Sequence, residues 1–152
     1  MDQLINQAIR DEPVVRSRVI AVQTQLGAGH EETLKARNEL ACILSTQSKF
    51  EEAIREFKEV LRLRLVVLPA EHRDVLLTRR NLSMTLEKNN QLSEAEEHMR
   101  IVYSLQLQNL GETNRDTLGS QRLLALIYKK MGRLDEAERN LIKCVDIKVH
   151  KT

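Results

Sequence analysis

The chain has 152 residues, 24 Lys and Arg against 22 Asp and Glu, and a formal charge of +2 with 41% hydrophobic residues. That length and apolar content suit one domain with a real core, and the near-balance of charge excludes a global attraction to nucleic acid or an anionic membrane. Aromatic residues make up only 3%, with no Trp, so the stacking groups used on single-stranded nucleic acid are nearly missing as well.

In chain order, Leu4, Ile5, Ala8 and Ile9 predict a short first helix. Asp11-Glu12-Pro13 predicts a fresh helix start, because proline is tolerated in a first turn and acids favour the positive end of the helix dipole. Val14, Val15, Val19, Ile20, Val22 and Leu26 supply that second helix with an apolar face. The N-terminus has no signal-peptide apolar region, and no apolar run approaches the ~18 residues of a membrane span. Membrane insertion is not expected.

From Leu26 onward a unit of 42 residues runs three times without a gap. Leu34, Leu76 and Leu118 hold one register, and Leu40, Leu82 and Leu124 another. A fixed period in this range means that each unit cannot bury its apolar face alone and stacks on its neighbours. Each unit predicts two helices. In the first, Leu34, Leu40, Ala41 and Leu44 give the stripe of helix A, while Phe50, Ala53, Ile54, Phe57, Val60 and Leu61 give that of helix B.

The breaks between paired helices fall at Gln47-Ser48-Lys49, Asn89-Asn90-Gln91 and Met131-Gly132-Arg133, where Asn90 and Gly132 accept a left-handed conformation. Ser93 with Glu96, and Asp135 with Glu138, predict capping boxes at the following helix B. Gly27, Pro69 and Gly111 mark the connections to the next unit. Small residues recur at Ala41, Ser83 and Ala125 and at Ala53, Ala95 and Ala137, letting paired helices approach. Phe57, Met99 and Leu141 alternate with them as large partners. The expected fold is all-α, a right-handed solenoid of stacked antiparallel helix pairs with about three and a half repeats. Its expected divisions are an N-terminal partial repeat of capping helices (1–27) and full repeats at 28–69, 70–111 and 112–152.

At the C-terminus, Leu141, Ile142, Val145, Ile147 and Val149 predict an apolar face with no polar helix to cover it. Two explanations stay open: a segment of a longer array, or a homodimer formed through this C-terminal helix. Cys42 and Cys144 lie far apart in sequence on packed faces, and read as reduced structural thiols of a cytoplasmic protein.

No phosphate loop, nucleophile elbow or paired-cysteine motif is present. His30 and His72 occupy equivalent connections and belong to the repeat pattern, and His98 and His150 form no metal-ligand spacing with them. No catalytic residue, metal or cofactor is expected, and the acidic runs read as solvated ion pairs on helix surfaces.

The Leu-Ala-x-x-Leu of helix A (residues 40–44, echoed by Leu124-Ala125 with Tyr128) and the Ala-x-x-x-Phe/Met/Leu of helix B resemble the tetratricopeptide repeat family. The longer unit, opening Leu26-Gly27-Ala28-Gly29-His30-Glu31-Glu32-Thr33-Leu34, is similar to the repeats of kinesin light chain and of regulatory NTPases and proteases with like arrays. The resemblance implies a concave groove lined by helix A, in which peptides or helices of partner proteins lie. Groove candidates are Lys35, Asn38, Arg80, Asn81, Met84, Lys88, Arg122, Leu126 and Lys130. The resemblance also implies that groove Asn side chains grip a peptide backbone; Arg80 and Arg122 could bind carboxylates bidentately. The expected function is a non-catalytic scaffold binding a partly apolar segment of another protein, acidic if the basic residues read it. The alternative is a structural or regulatory array packing on other domains of a larger protein.

Overall fold

The protein is described by a computed structural model covering residues 2–139. Six helices follow one another: α1 (Asp2–Leu26), α2 (Glu31–Thr46), α3 (Phe50–Val67), α4 (Arg73–Lys88), α5 (Leu92–Leu110) and α6 (Arg115–Lys130). A further helical stretch begins at 134 and continues to the last described residue. Among the described residues there is no strand. The apolar C-terminal positions, from Leu141 to Val149, with Cys144 and His150, lie outside the described residues.

The core follows the small-and-large pattern of the repeat. Ala41, Ala53, Ser83 and Ala95 are completely buried, and Ala125 and Ala137 nearly so, with Phe57 and Met99 filling the space beside them. Burying one side chain as large as Phe57 or Met99 contributes about 2–3 kcal/mol. Ser83 adds a hydrogen bond, its Oγ donating to the Ala95 carbonyl at 2.7 Å, so a hydroxyl sits at a contact otherwise reserved for methyl groups without being orphaned.

The turns within repeats share one geometry. Ser48, Asn90 and Gly132 have φ of 63°, 61° and 81°, and each closes two backbone bonds. Ser48 N donates to Ser45 O at 3.0 Å and Lys49 N to Leu44 O at 2.9 Å, and the same pair recurs one and two repeats later. This is the Schellman end, which satisfies carbonyls that the last helical turn leaves open. A serine serves in the first copy although it lacks glycine's freedom.

The starts of α2, α4 and α6 are also alike. His30 Nδ1 accepts from Glu32 N at 3.1 Å, His72 Nδ1 from Asp74 N at 3.0 Å, and Asn114 Oδ1 from Asp116 N at 2.8 Å. The repeat histidines are therefore N-caps, a job that needs an acceptor nitrogen.

Two local expectations fail. α1 is one continuous helix with Pro13 inside it, where the sequence predicts a short helix and a second start at Asp11-Glu12-Pro13. An interior proline costs about 3 kcal/mol locally. Here Ala8 and Val15, on either side of it, are both buried, and the ring itself is exposed. Gln47 Nε2 ties the same stretch to the first turn, donating to Glu12 Oε1 at 2.8 Å and to Ala8 O at 3.4 Å. Packing of the whole helix outweighs the local break.

The second failure is that of the capping boxes of Ser93 with Glu96 and of Asp135 with Glu138, the latter because the helical stretch already begins at 134 and encloses Asp135. α5 starts at Leu92 with Gln91 at its cap position and no side-chain cap bond. Glu96 is instead drawn into the junction with the next repeat. It accepts from Arg100 Nη1 at 3.1 Å and from the Tyr128 hydroxyl at 3.3 Å, and Arg133 lies over the Tyr128 ring at 4.6 Å. A buried carboxylate recruits the donors that its burial demands, and a surface capping role is lost.

Each helix packs on its sequence neighbours. Beyond that, the backbones of α2 and α4, and of α4 and α6, come close, whereas α1, α3 and α5 meet one another through long side chains, as Arg16 meets Glu52 and Lys58 meets Glu94. The helices whose row is closer together lie on the inside of a bend. The helix A row therefore lines the concave face.

Candidate partner-binding groove

Across the concave row, α2 and α4 close upon each other. Ser45 Oγ and Thr85 Oγ1 are 3.2 Å apart, Thr78 Oγ1 reaches Asn38 Oδ1 at 3.5 Å, and Asn81 Nδ2 approaches Cys42 Sγ at 3.8 Å. Behind them Arg64, only 3% exposed, spans the junction from α3. Its Nη1 donates to Thr78 Oγ1 at 2.6 Å and to Asp74 O at 3.1 Å. The Cys42 thiol, largely enclosed here, has its pKa pushed up by burial and then by the charge of Glu39.

One repeat later the same positions carry different residues, and two clefts open beside α4, one toward the end of α5 and one toward α6. Gln106 stands where Arg64 does and meets the matching position with a shorter side chain, accepting from Ser120 Oγ at 2.5 Å, and it lines a cleft. A cleft of about 380 Å³ remains, lined by Leu76, Leu77, Leu105 and Leu110 with Arg73, Arg80, Glu71 and Asp116 around them. Nearer the C-terminal ends of the two helices lies a second cleft of about 290 Å³. Met84, Met99, Leu123, Leu126 and Ile127 form its walls, and Lys88, Lys130 and Glu87 its rim. Polar pairs fill the α2–α4 junction; at the α4–α6 junction the Glu87–Lys130 ion pair crosses beside methionine and leucine side chains that leave an apolar recess.

The nine groove candidates divide accordingly. Met84, Lys88, Leu126 and Lys130 come together at the second cleft, and Arg80 lines the first. Asn81 lies between them on α4, with its amide nitrogen turned to Cys42. Asn38 and Lys35 lie on α2 at the closed junction, with the Asn38 oxygen engaged by Thr78. Arg122 is exposed on α6. The Lys130 ammonium is paired with Glu87 and Glu39 with Arg18. Lys35, Arg80, Lys88 and Arg122 have no acidic ion-pair partner within the described residues. The concave face is therefore basic in its unpaired charge.

Sequence reading missed Arg73, Leu105, Gln106, Asn109 and Leu110, which come from the start of α4 and the end of α5. The available signal was Gln106 in place of Arg64 at a register position, which shortens the side chain there. Among the described residues no group of three or more His, Cys, Asp or Glu could hold a metal ion, and no helix is long and apolar enough to cross a membrane.

Two tetratricopeptide-repeat sequence profiles match, over residues 33–74 and 74–148. No curated protein sequence matches the chain. Among solved structures, a kinesin light chain-like protein of Podosopora anserina with nearly identical TPR-like repeats superposes with a TM-score of 0.81 at 25% identity, covering 99% of this chain and 76% of that one. A point variant of that same protein gives 0.80 at 25% identity, covering 98% and 74%. BtubC (BKLC) from P. vanneervenii gives 0.72 over 98% of this chain and 74% of that one, at 14% identity, and so speaks for the fold alone. Repeats of this kind form protein-interaction scaffolds and are typically non-catalytic. The chain belongs to the tetratricopeptide repeat family, in its 42-residue, kinesin-light-chain-like form.

Proposed function

We propose that this array recruits a partner protein by binding an acidic, partly apolar segment along its concave face, anchored at the junction of α4 and α6. The observation that carries this reading is the contrast between the two junctions. At one, polar pairs join α2 to α4, and at the other two leucine- and methionine-lined clefts open beside Arg80 and Lys88. An apolar side chain entering either cleft gains roughly 1.5–3 kcal/mol from burial. Acidic groups next to it would meet guanidinium and ammonium groups that lack carboxylates of their own. The charge term sets specificity and association rate more than affinity.

The test compares capture of partners from a cell extract by the native chain, by Arg80→Glu/Arg122→Glu, and by Leu126→Asp, at low and moderate salt. A partner lost with the charge reversal, with Leu126→Asp and with salt supports the reading. A partner retained by both variants removes the groove from consideration.

A further inference from the structure

Arg37 on α2 and Glu56 on α3 join the two helices of the first repeat, with Nε and Nη2 donating to the carboxylate at 2.9 and 3.3 Å. One repeat later the arginine remains, as Arg79 on α4, and the carboxylate has become His98 on α5. Arg79 Nη1 lies 3.2 Å from His98 Nδ1. A guanidinium can only donate, so Nδ1 must be the bare acceptor nitrogen of a neutral ring that carries its proton on Nε2. Both groups are half-buried, and the Arg79 Nε is buried with no hydrogen-bond partner among the described residues.

We propose that Arg79 and His98 form a pH-sensitive latch between α4 and α5, closed while the imidazole is neutral and released when it takes up a proton. A proton on Nδ1 abolishes the acceptor and places two cations in contact in a partly desolvated position. The charges facing the ring decide how complete the release is. Glu94 and Glu97 on its own helix favour the proton, while Arg79 on α4 and Lys58 on α3 oppose it. Lys58 is itself paired with Glu94 at 2.7 Å, which blunts both. Burial and then Arg79 hold the His98 pKa below its ordinary 6.5, so the latch is closed at neutral pH.

The sign follows from the lowered value: the unfolded chain takes the proton first, so the stabilisation is complete above 6.5 and is lost as pH falls from there through the folded-state value. α4 also carries Arg80, Met84 and Lys88, so its docking onto α5 supports the groove. The latch stands on the helix pair alone and is read without any partner.

The experiment measures urea unfolding of the native chain, His98→Gln and His98→Glu at pH 7.5 and pH 5.5, with ring nitrogen shifts of His98 by NMR. The native folding equilibrium should fall between these pH values by up to about tenfold more than that of His98→Gln, the ceiling set by protonation of the unfolded imidazole. The remaining histidines are the same in both proteins, so the comparison isolates position 98. His98→Glu, which recreates the pair of the first repeat, should lose the extra dependence and gain stability. Equal pH dependence in native and His98→Gln, or an Nδ1–H tautomer at pH 7.5, overturns the latch.

Discussion

The same substitution, Thr to Val, is expected to act with opposite sign at two equivalent positions, Thr33 and Thr117. Both side chains are buried, at 0% and 1% exposure. Thr33 Oγ1 donates to the Gly27 carbonyl at 2.7 Å, whereas Thr117 Oγ1 is buried with no partner among the described residues. Val75, the residue between them in register, is fully buried, so the slot accepts a valine. Thr33→Val loses a hydrogen bond worth about 1 kcal/mol, with the Gly27 carbonyl left to water on an exposed connection. Thr117→Val removes a hydroxyl that was dehydrated without compensation, and should stabilise by about 1 kcal/mol. The gap of about 2 kcal/mol corresponds to a separation in Tm of roughly 4–8 °C for a chain of this size. Urea unfolding followed by circular dichroism, with m-values compared to confirm that the transition keeps its cooperativity, reads both variants. The reasoning is refuted if Thr117→Val is destabilising, or if both variants shift in the same direction.

Two further outcomes follow from the turns and the first helix. Ser48→Gly should raise stability by about 0.5–1 kcal/mol, because a left-handed serine meets a Cβ penalty that glycine lacks; a lowered thermal midpoint would contradict it. Glu12 accepts from Lys49 Nζ, Arg16 Nε and Gln47 Nε2, and these bonds, Lys49 and then Arg16 foremost, lower its pKa from 4.5 to about 2. Its stabilising effect is full above 4.5 and is lost as pH falls through about 2. Glu12→Gln should cost about 1–2 kcal/mol at pH 7 after solvent screening, with the gap to the native chain closing by about pH 2. A gap that stays constant over that range would place the stabilisation elsewhere.

Much of the fold was legible because it is written in local rules repeated in register. The positions of Ala41, Ser83 and Ala125 and of Ala53, Ala95 and Ala137 announced close helix pairs, and Asn90 and Gly132 announced the turns. Ser48 was not recognisable in the same way, since nothing intrinsic to serine favours a positive φ and only the closure of two backbone bonds holds it there. The N-cap role of His30 and His72 was similarly hidden, because histidine becomes a cap only when its ring is turned so that Nδ1 faces the amide two residues on.

What the sequence determined by itself is the period, the helix pairs and the face that each helix buries, because these depend on spacing along one chain. Tertiary structure decided which local signals prevailed. It kept α1 continuous through Pro13, since burial of Ala8 and Val15 on one helix outweighs a missing hydrogen bond. It took Glu96 out of a capping box, since a carboxylate enclosed between α5 and α6 needs the donors of Arg100 and Tyr128 more than a helix end needs an acceptor. It also enclosed Arg64 against Thr78 and Asp74 and left Gln106, one repeat on, lining a cleft. The reach of one side chain across a helix junction is a distance in space, and no spacing along the sequence encodes it.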